Sequence, residues 1–172
     1  AGSPRFLTSD GSRVYFTSPD QLVPADTDAK PDVYWSDIAG TFHLVTGWTD
    51  LEADFAAMNP DGTSYVLRST DKLLPADSDT SSDLYLVDAS GVTLVTQGTI
   101  AVGSSWISED LSQIVYRTLS QIDPPDVEED ADLYRWDPAS PWQADLITTR
   151  RSGNTGVSVH AMSPDGDRFV FN

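Results

Sequence analysis

Cysteine is absent from the 172-residue chain, so no disulfide can staple it and thiol chemistry is excluded. A secreted protein built this way relies on its core, on bound ions or on assembly. Basic residues are scarce: ten Lys and Arg stand against 27 Asp and Glu, a formal net charge of −17. Such a surface repels nucleic acid and anionic membranes, suits cations and keeps a sheet protein soluble. No apolar run approaches the roughly 20 residues of a membrane-spanning helix, and no signal peptide is visible. The opening Ala1-Gly2-Ser3-Pro4 lacks Met, which leads to the expectation of a mature or excised segment. Histidine is almost missing: His43 and His160 stand apart, without a His-x-x-His or His-Glu partner. No Gly-x-Ser-x-Gly elbow and no Gly-rich phosphate loop occurs. No catalytic residue is therefore assigned, and a non-enzymatic role is expected. The enzyme alternative is a polysaccharide lyase or hydrolase using one of many acidic pairs.

What is plentiful is repetition. Asp-Gly turns stand at Asp10-Gly11, Asp61-Gly62 and Asp165-Gly166, with Asp110-Leu111 as a degenerate copy. An apolar-Pro-Ala-Asp segment, Leu22-Val23-Pro24-Ala25-Asp26, returns as Leu73-Leu74-Pro75-Ala76-Asp77 and more weakly as Ile122-Asp123-Pro124-Pro125-Asp126. An Asp-apolar-Tyr triplet occurs at Asp32-Val33-Tyr34, Asp83-Leu84-Tyr85 and Asp132-Leu133-Tyr134. All three landmarks recur at offsets of 51 and then 49 residues, so they mark one repeating unit.

Each unit reads as four short strands. In the first, Arg5–Thr8 and Arg13–Thr17 flank a Ser-Asp-Gly-Ser turn, and Asp32–Ser36 and Phe42–Thr46 flank a second turn. The second unit places strands at Ser64–Ser69, Asp83–Val87 and Val92–Thr96, the third at Gln113–Thr118, Asp132–Trp136 and Ala144–Thr148. Tyr, Val, Phe and Thr fill these segments, as β-propensity favours. A four-stranded antiparallel unit of about 50 residues is a propeller blade. The expected fold is all-β, one domain over 1–172 with blades at about 4–48, 53–98 and 102–149 and a partial fourth at about 157–172. Two segments compete with this reading. Leu51, Phe55 and Met58 fall at helical spacing after Thr49-Asp50, and Asp126–Trp136 contains neither Gly nor Pro. The repeat register favours strands in both.

The pattern Ser163-Pro164-Asp165-Gly166 followed by a strand, its copy at Asn59-Pro60-Asp61-Gly62, and strand ends at Leu44-Val45-Thr46 and Leu94-Val95-Thr96 resemble the TolB-like β-propeller repeat family. The resemblance covers nearly the whole chain. It implies a propeller and says little about function, because the family includes periplasmic and secreted scaffolds, surface repeats and the propeller domains of some peptidases. In those peptidases the catalytic residues lie in a separate hydrolase domain. Such propellers as a rule close with six to eight blades, whereas this chain holds three full repeats and half of a fourth. An open fan exposes strand edges and apolar faces. Two expectations follow: a fragment of a longer propeller, or a ring or polymer completed by other copies of the chain.

The acidic loop between the second and third strands of each unit is the candidate for chemistry. It carries carboxylates at positions 1, 3 and 7: Asp26, Asp28 and Asp32, then Asp77, Asp79 and Asp83. The third copy offers Asp126, Glu128, Asp130 and Asp132. Three converging carboxylates repel one another without a counter-ion, and calcium takes six to eight oxygens in flexible geometry. The competing role is turn capping by Asp. The pattern is not an EF-hand, since Gly is absent from the sixth position. Asp10, Asp61 and Asp165, and likewise Asp37, Asp88 and Asp137, sit where turn residues belong. Among the five Trp, Trp35 and Trp136 flank the Asp-apolar-Tyr landmark at alternating positions, which places them on opposite faces of their blades. The one that faces inward is expected to pack between blades, and stacking on a ligand such as a sugar is the alternative. The functional expectation is an extracellular, cell-surface or periplasmic structural module, calcium-stabilised and self-associating. A protein- or carbohydrate-binding propeller domain is the alternative.

Overall fold

Alternation with a period of two lets both faces of a strand be apolar only if both are covered. The chain meets that condition by stacking sheets. The computed structural model describes residues 6–47, 49, 51–97, 99–122, 126, 130–138, 140, 144–148 and 157–171. Among the described residues there are fourteen strands and no helix. The first sheet is β1 (Phe6–Leu7), β2 (Arg13–Ser18), β3 (Asp32–Asp37) and β4 (Phe42–Leu44). The second is β5 (Asp54–Met58), β6 (Tyr65–Ser69), β7 (Asp83–Asp88) and β8 (Gly91–Leu94). The third is β9 (Ser104–Ile107), β10 (Ile114–Thr118), β11 (Asp132–Trp136) and β12 (Ala144–Leu146). A fourth, two-stranded sheet pairs β13 (Val159–Met162) with β14 (Phe169–Phe171). Within each sheet the strands pair antiparallel in sequence order, which is the meander of a propeller blade.

Each strand divides its side chains between two neighbours. In β7, Tyr85 and Val87 join a cluster with Tyr15, Val33 and Phe55, while Leu84 and Leu86 join one with Ile114, Tyr116 and Trp136. In β10 and β11, Val115 and Leu133 turn the other way, onto Val157 and Val159 of the last unit. The three clusters are thus the seams between consecutive blades. Fully buried Tyr34, Tyr85, Tyr116, Tyr134 and Trp136 are the largest side chains removed from water. Burying a Leu or Val of these seams is worth about 1.5–3 kcal/mol. The face of the first blade that matches these covered surfaces carries Phe16 stacked on Tyr34 (6.0 Å) and edge-on to Phe42 (6.0 Å). Phe42 and Leu7 are exposed.

The helical spacing of Leu51, Phe55 and Met58 has a strand explanation. The β5–β6 register jumps from Phe55↔Leu67 to Ala57↔Val66, leaving Ala56 as an extra residue. This bulge returns Met58 to the face of Phe55, so two neighbours on one face stand three positions apart. The same shift recurs between Val159 and Ala161 in β13. The segment Asp126–Trp136 likewise ends in strand β11, while residues 127–129 lie outside the described residues.

Backbone hydrogen bonds tie some blades at their turns. The Ser9 N–H donates to the Pro60 carbonyl (2.7 Å), and the Glu109 N–H donates to the Pro164 carbonyl (2.8 Å). The Tyr15 hydroxyl donates to the Gly62 carbonyl (3.1 Å). A Cβ on Gly62 would lie 2.9 Å from that hydroxyl, so only glycine fits, and its φ of +72° demands glycine as well. At the second-to-third junction the corresponding donor position is Pro60, which has no N–H, and the corresponding glycine is Leu111, buried in the seam with φ +61°.

Candidate metal centre

The acidic loops begin in a tight turn and end in the third strand of a blade. In the first, the Asp26 N–H donates to the Val23 carbonyl (3.1 Å); in the second, Asp77 does the same to Leu74 (3.1 Å). The first carboxylate of each loop then accepts the N–H two residues on: Asp28 to Asp26 Oδ1 (3.2 Å) and Asp79 to Asp77 Oδ1 (3.1 Å). The middle carboxylate repeats the move, accepting from Lys30 (2.7 Å) and Ser81 (2.5 Å). These are turn bonds, and they use one oxygen of each group.

Two hydroxyls hold the buried carboxylates, one from a Tyr in the third strand and one from a Thr two residues past the fourth. Tyr34 donates to Asp26 Oδ2, Tyr85 to Asp77 Oδ2 (2.5 Å) and Tyr134 to Asp126 Oδ2 (2.6 Å). Thr46 donates to Asp32 Oδ1 (2.5 Å), Thr96 to Asp83 Oδ1 (2.6 Å) and Thr148 to Asp132 Oδ1 (2.6 Å). Each Thr oxygen also accepts the N–H of the residue after that Asp: Val33 (3.1 Å), Leu84 (3.0 Å) and Leu133 (3.1 Å). This is why β4 stops at Leu44: Thr46 turns its hydroxyl onto the loop instead of continuing the ladder. These Tyr and Thr donors hold the carboxylates in place, and carboxylate spacing alone does not reveal them. Their signal was present, since both belong to the repeated landmarks.

One carboxylate oxygen from each of Asp26, Asp28 and Asp32 lies within 4.8 Å of the other two, and the same holds for Asp77, Asp79 and Asp83. In the third loop Asp126 and Asp132 are buried and keep their hydroxyl partners, but among the described residues Asp126, Asp130 and Asp132 form no such triplet, and Glu128 lies outside those residues. The second loop has a further property. Asp83 is 1% exposed, and its Oδ2 has no hydrogen-bond partner; neither has the buried Oδ2 of Asp79. Burial pushes the Asp83 carboxyl up to about 7. The Thr96 hydroxyl opposes that shift, and the charges of Asp77 and Asp79 add to it. Asp132 is raised for the same reasons, burial first, then the charges of Asp126 and Asp130, against the Thr148 bond. Burial, then the bond to Asp77, raises the Tyr85 hydroxyl, so it remains a donor at neutral pH. Oxygens up to 4.8 Å apart can both reach an ion about 2.3–2.6 Å away, the distance calcium prefers. An all-oxygen donor set of carboxylates suits a hard cation.

The aromatic candidates are placed differently. Trp136 is 1% exposed in the seam between the second and third blades, so its ring offers no face for a sugar; burial of its apolar body against that seam overrides the ligand role. Trp35 packs on the opposite blade face, toward the second sheet, stacked on His43 at 3.7 Å with the Arg13 guanidinium 4.7 Å over its ring. His43 is thereby a stacking partner. The turn carboxylates behave as the sequence suggests: Asp10 Oδ1 accepts from the Thr8 hydroxyl (2.7 Å) and the Ser12 N–H (2.9 Å), and it is held down near 2, the Thr8 bond foremost.

No protein-family model and no curated protein sequence matches the chain. Solved structures do. TolB from Acinetobacter baumannii aligns over 98% of this chain and 42% of its own, at 17% identity and a TM-score of 0.57. A protein assigned as TolB from Agrobacterium tumefaciens aligns over 97% and 52%, at 19% identity and a TM-score of 0.60. A prolyl endopeptidase aligns over 99% of this chain and 24% of its own, at 18% identity and a TM-score of 0.57. The chain thus spans about half the length of the TolB structures it matches. Read with the four meandering sheets and their apolar seams, these alignments give the chain the TolB-like β-propeller fold.

Proposed function

We propose that the chain is a non-enzymatic structural and assembly module of propeller blades that works outside the cytoplasm, is stabilised by calcium in its acidic loops and self-associates through an exposed blade face. The observation that carries the calcium reading is the pair of buried, unpartnered oxygens on Asp79 and Asp83. A buried carboxylate oxygen without a partner is destabilising unless a proton or cation meets it. Support for self-association comes from the first blade, whose exposed Phe42 and half-buried Phe16 lie on the face that the next two blades bury against a neighbour. The extracytoplasmic setting rests on the TolB-like resemblance and on calcium's abundance there.

The test is thermal unfolding with light scattering, in millimolar calcium and in EDTA. A ligand at 100 times its dissociation constant stabilises by about 2.7 kcal/mol. For a chain of this size that is a rise in Tm of roughly 5–10 °C. Calcium should produce that rise, and the molar mass should exceed that of one chain. An unchanged Tm would overturn the calcium reading. A monomer in both buffers would overturn self-association.

A further inference from the structure

The acidic loops also touch the following blade. The residue just before the last Asp is Pro31 in the first loop and Ser82 in the second. The Pro31 carbonyl accepts the Ala53 N–H (3.2 Å), and the Ser82 carbonyl accepts the Val102 N–H (2.9 Å). Ala53 and Val102 are buried, stand one residue before β5 and two before β9, and lie in the apolar seams. One short loop thus aims carboxylates inward and a carbonyl at the start of the next blade.

In the second loop the two functions share a few residues. The unpartnered oxygens belong to Asp79 and Asp83, and Ser82 lies between them in the chain. Asp79 Oδ1 is already engaged by the Ser81 N–H, and Asp83 Oδ1 by Thr96. The Oδ2 atoms are what the loop leaves for a ligand. An ion bridging them would fix residues 79–83 at both ends and with them the Ser82 carbonyl.

We propose that the second loop is a calcium site with Asp79 Oδ2 and Asp83 Oδ2 as ligand atoms, and that the bound ion fastens the third blade through the Ser82–Val102 hydrogen bond. This rests on the calcium reading above and adds which loop binds most tightly and what the ion does there. The second-to-third junction is also the one whose turn donor is replaced by Pro60, so the loop bond carries more of its order.

The experiment uses metal-stripped protein titrated with calcium chloride by calorimetry, with amide hydrogen exchange in calcium and in EDTA. Asp79→Asn should weaken the tightest site by at least ~10–100-fold, the loss typical even of groups outside the ligand shell. Asp28→Asn should leave that site in place. In the wild type, calcium should slow exchange at Val102 by about tenfold or more, the signature of a more stable local unit, and this slowing should vanish in Asp79→Asn. Calcium binding with Val102 exchange unchanged would overturn the fastening role and leave the calcium reading standing. Loss of the tightest site in Asp28→Asn instead would overturn the assignment to the second loop. Absence of any binding heat, with no change in exchange, would overturn both readings.

Discussion

The Thr96 hydroxyl makes a test of the loop that needs no metal. It lies in a fully buried position, accepts the Leu84 N–H at 3.0 Å and donates to Asp83 Oδ1 at 2.6 Å. Thr96→Val keeps the shape of the side chain and removes both bonds. Leu84 is 0% exposed and Asp83 1%, so water cannot replace either partner. Each buried polar group left unsatisfied costs about 1–3 kcal/mol, and more when it is charged. The expected loss for the two groups is therefore about 2–6 kcal/mol, a large share of the roughly 5–15 kcal/mol that holds a typical domain. At ~2–4 °C per kcal/mol for a chain of this size, Tm should fall by roughly 4–24 °C. Urea and thermal unfolding in EDTA measure this directly. Thr96→Ser retains the hydroxyl and loses one methyl, about 0.8 kcal/mol. Thr148→Val, in a half-buried copy of the site, should cost less than Thr96→Val. If Thr96→Val lies within about 0.5 kcal/mol of the wild type, the claim that these hydroxyls hold the loop is wrong.

Two further outcomes follow from the turns. Gly11 and Gly62 share a left-handed backbone (φ +70° and +72°), but a Cβ on Gly11 meets nothing within 4 Å whereas one on Gly62 meets Tyr15 and Thr8. Gly11→Ala should cost the ~1–2 kcal/mol of that conformation, and Gly62→Ala another ~1–3 kcal/mol of overpacking; equal urea midpoints for the two variants would refute the close approach. The turn carboxylates Asp10, Asp61, Asp110 and Asp165 are all held below the ordinary Asp value of 3.8 by hydroxyl and N–H donors, Asp10 to about 2. A group with a depressed folded pKa contributes stability that is present above its unfolded pKa and lost as pH falls through the folded one. The urea midpoint should accordingly drop between about pH 4 and pH 2, less steeply in Asp10→Asn, and a flat profile there would contradict the bonding described.

Much of this was legible in the residues. The Asp-Gly, Pro-Ala-Asp and Asp-apolar-Tyr landmarks placed the strands, because turn chemistry and alternation act locally and recur at one offset. The ends moved by a residue or two where Thr46 and its copies left the ladder for the loop. The spacing of Phe55 and Met58 suggested a helix because a β-bulge also brings residues three apart onto one face. The carboxylates were visible, but Tyr85 and Thr96 were not assigned to them. They lie eight and thirteen residues from their partners, and only strand pairing brings them back. Packing between blades was the leading reading for an inward-facing Trp, but which of Trp35 and Trp136 is buried depends on which blade face has a neighbour.

The turn contacts between blades make this a structure of couplets. Ser9 and Glu109 donate across their seams, whereas Pro60 and Pro164 occupy the same place with nothing to give. Donor-bearing and donor-less blades alternate, so the turn bond is present at the first and third junctions and missing at the one between them. The stack is therefore fastened as two bonded pairs, and the joint between the pairs is closed by its apolar seam and the Ser82–Val102 loop bond.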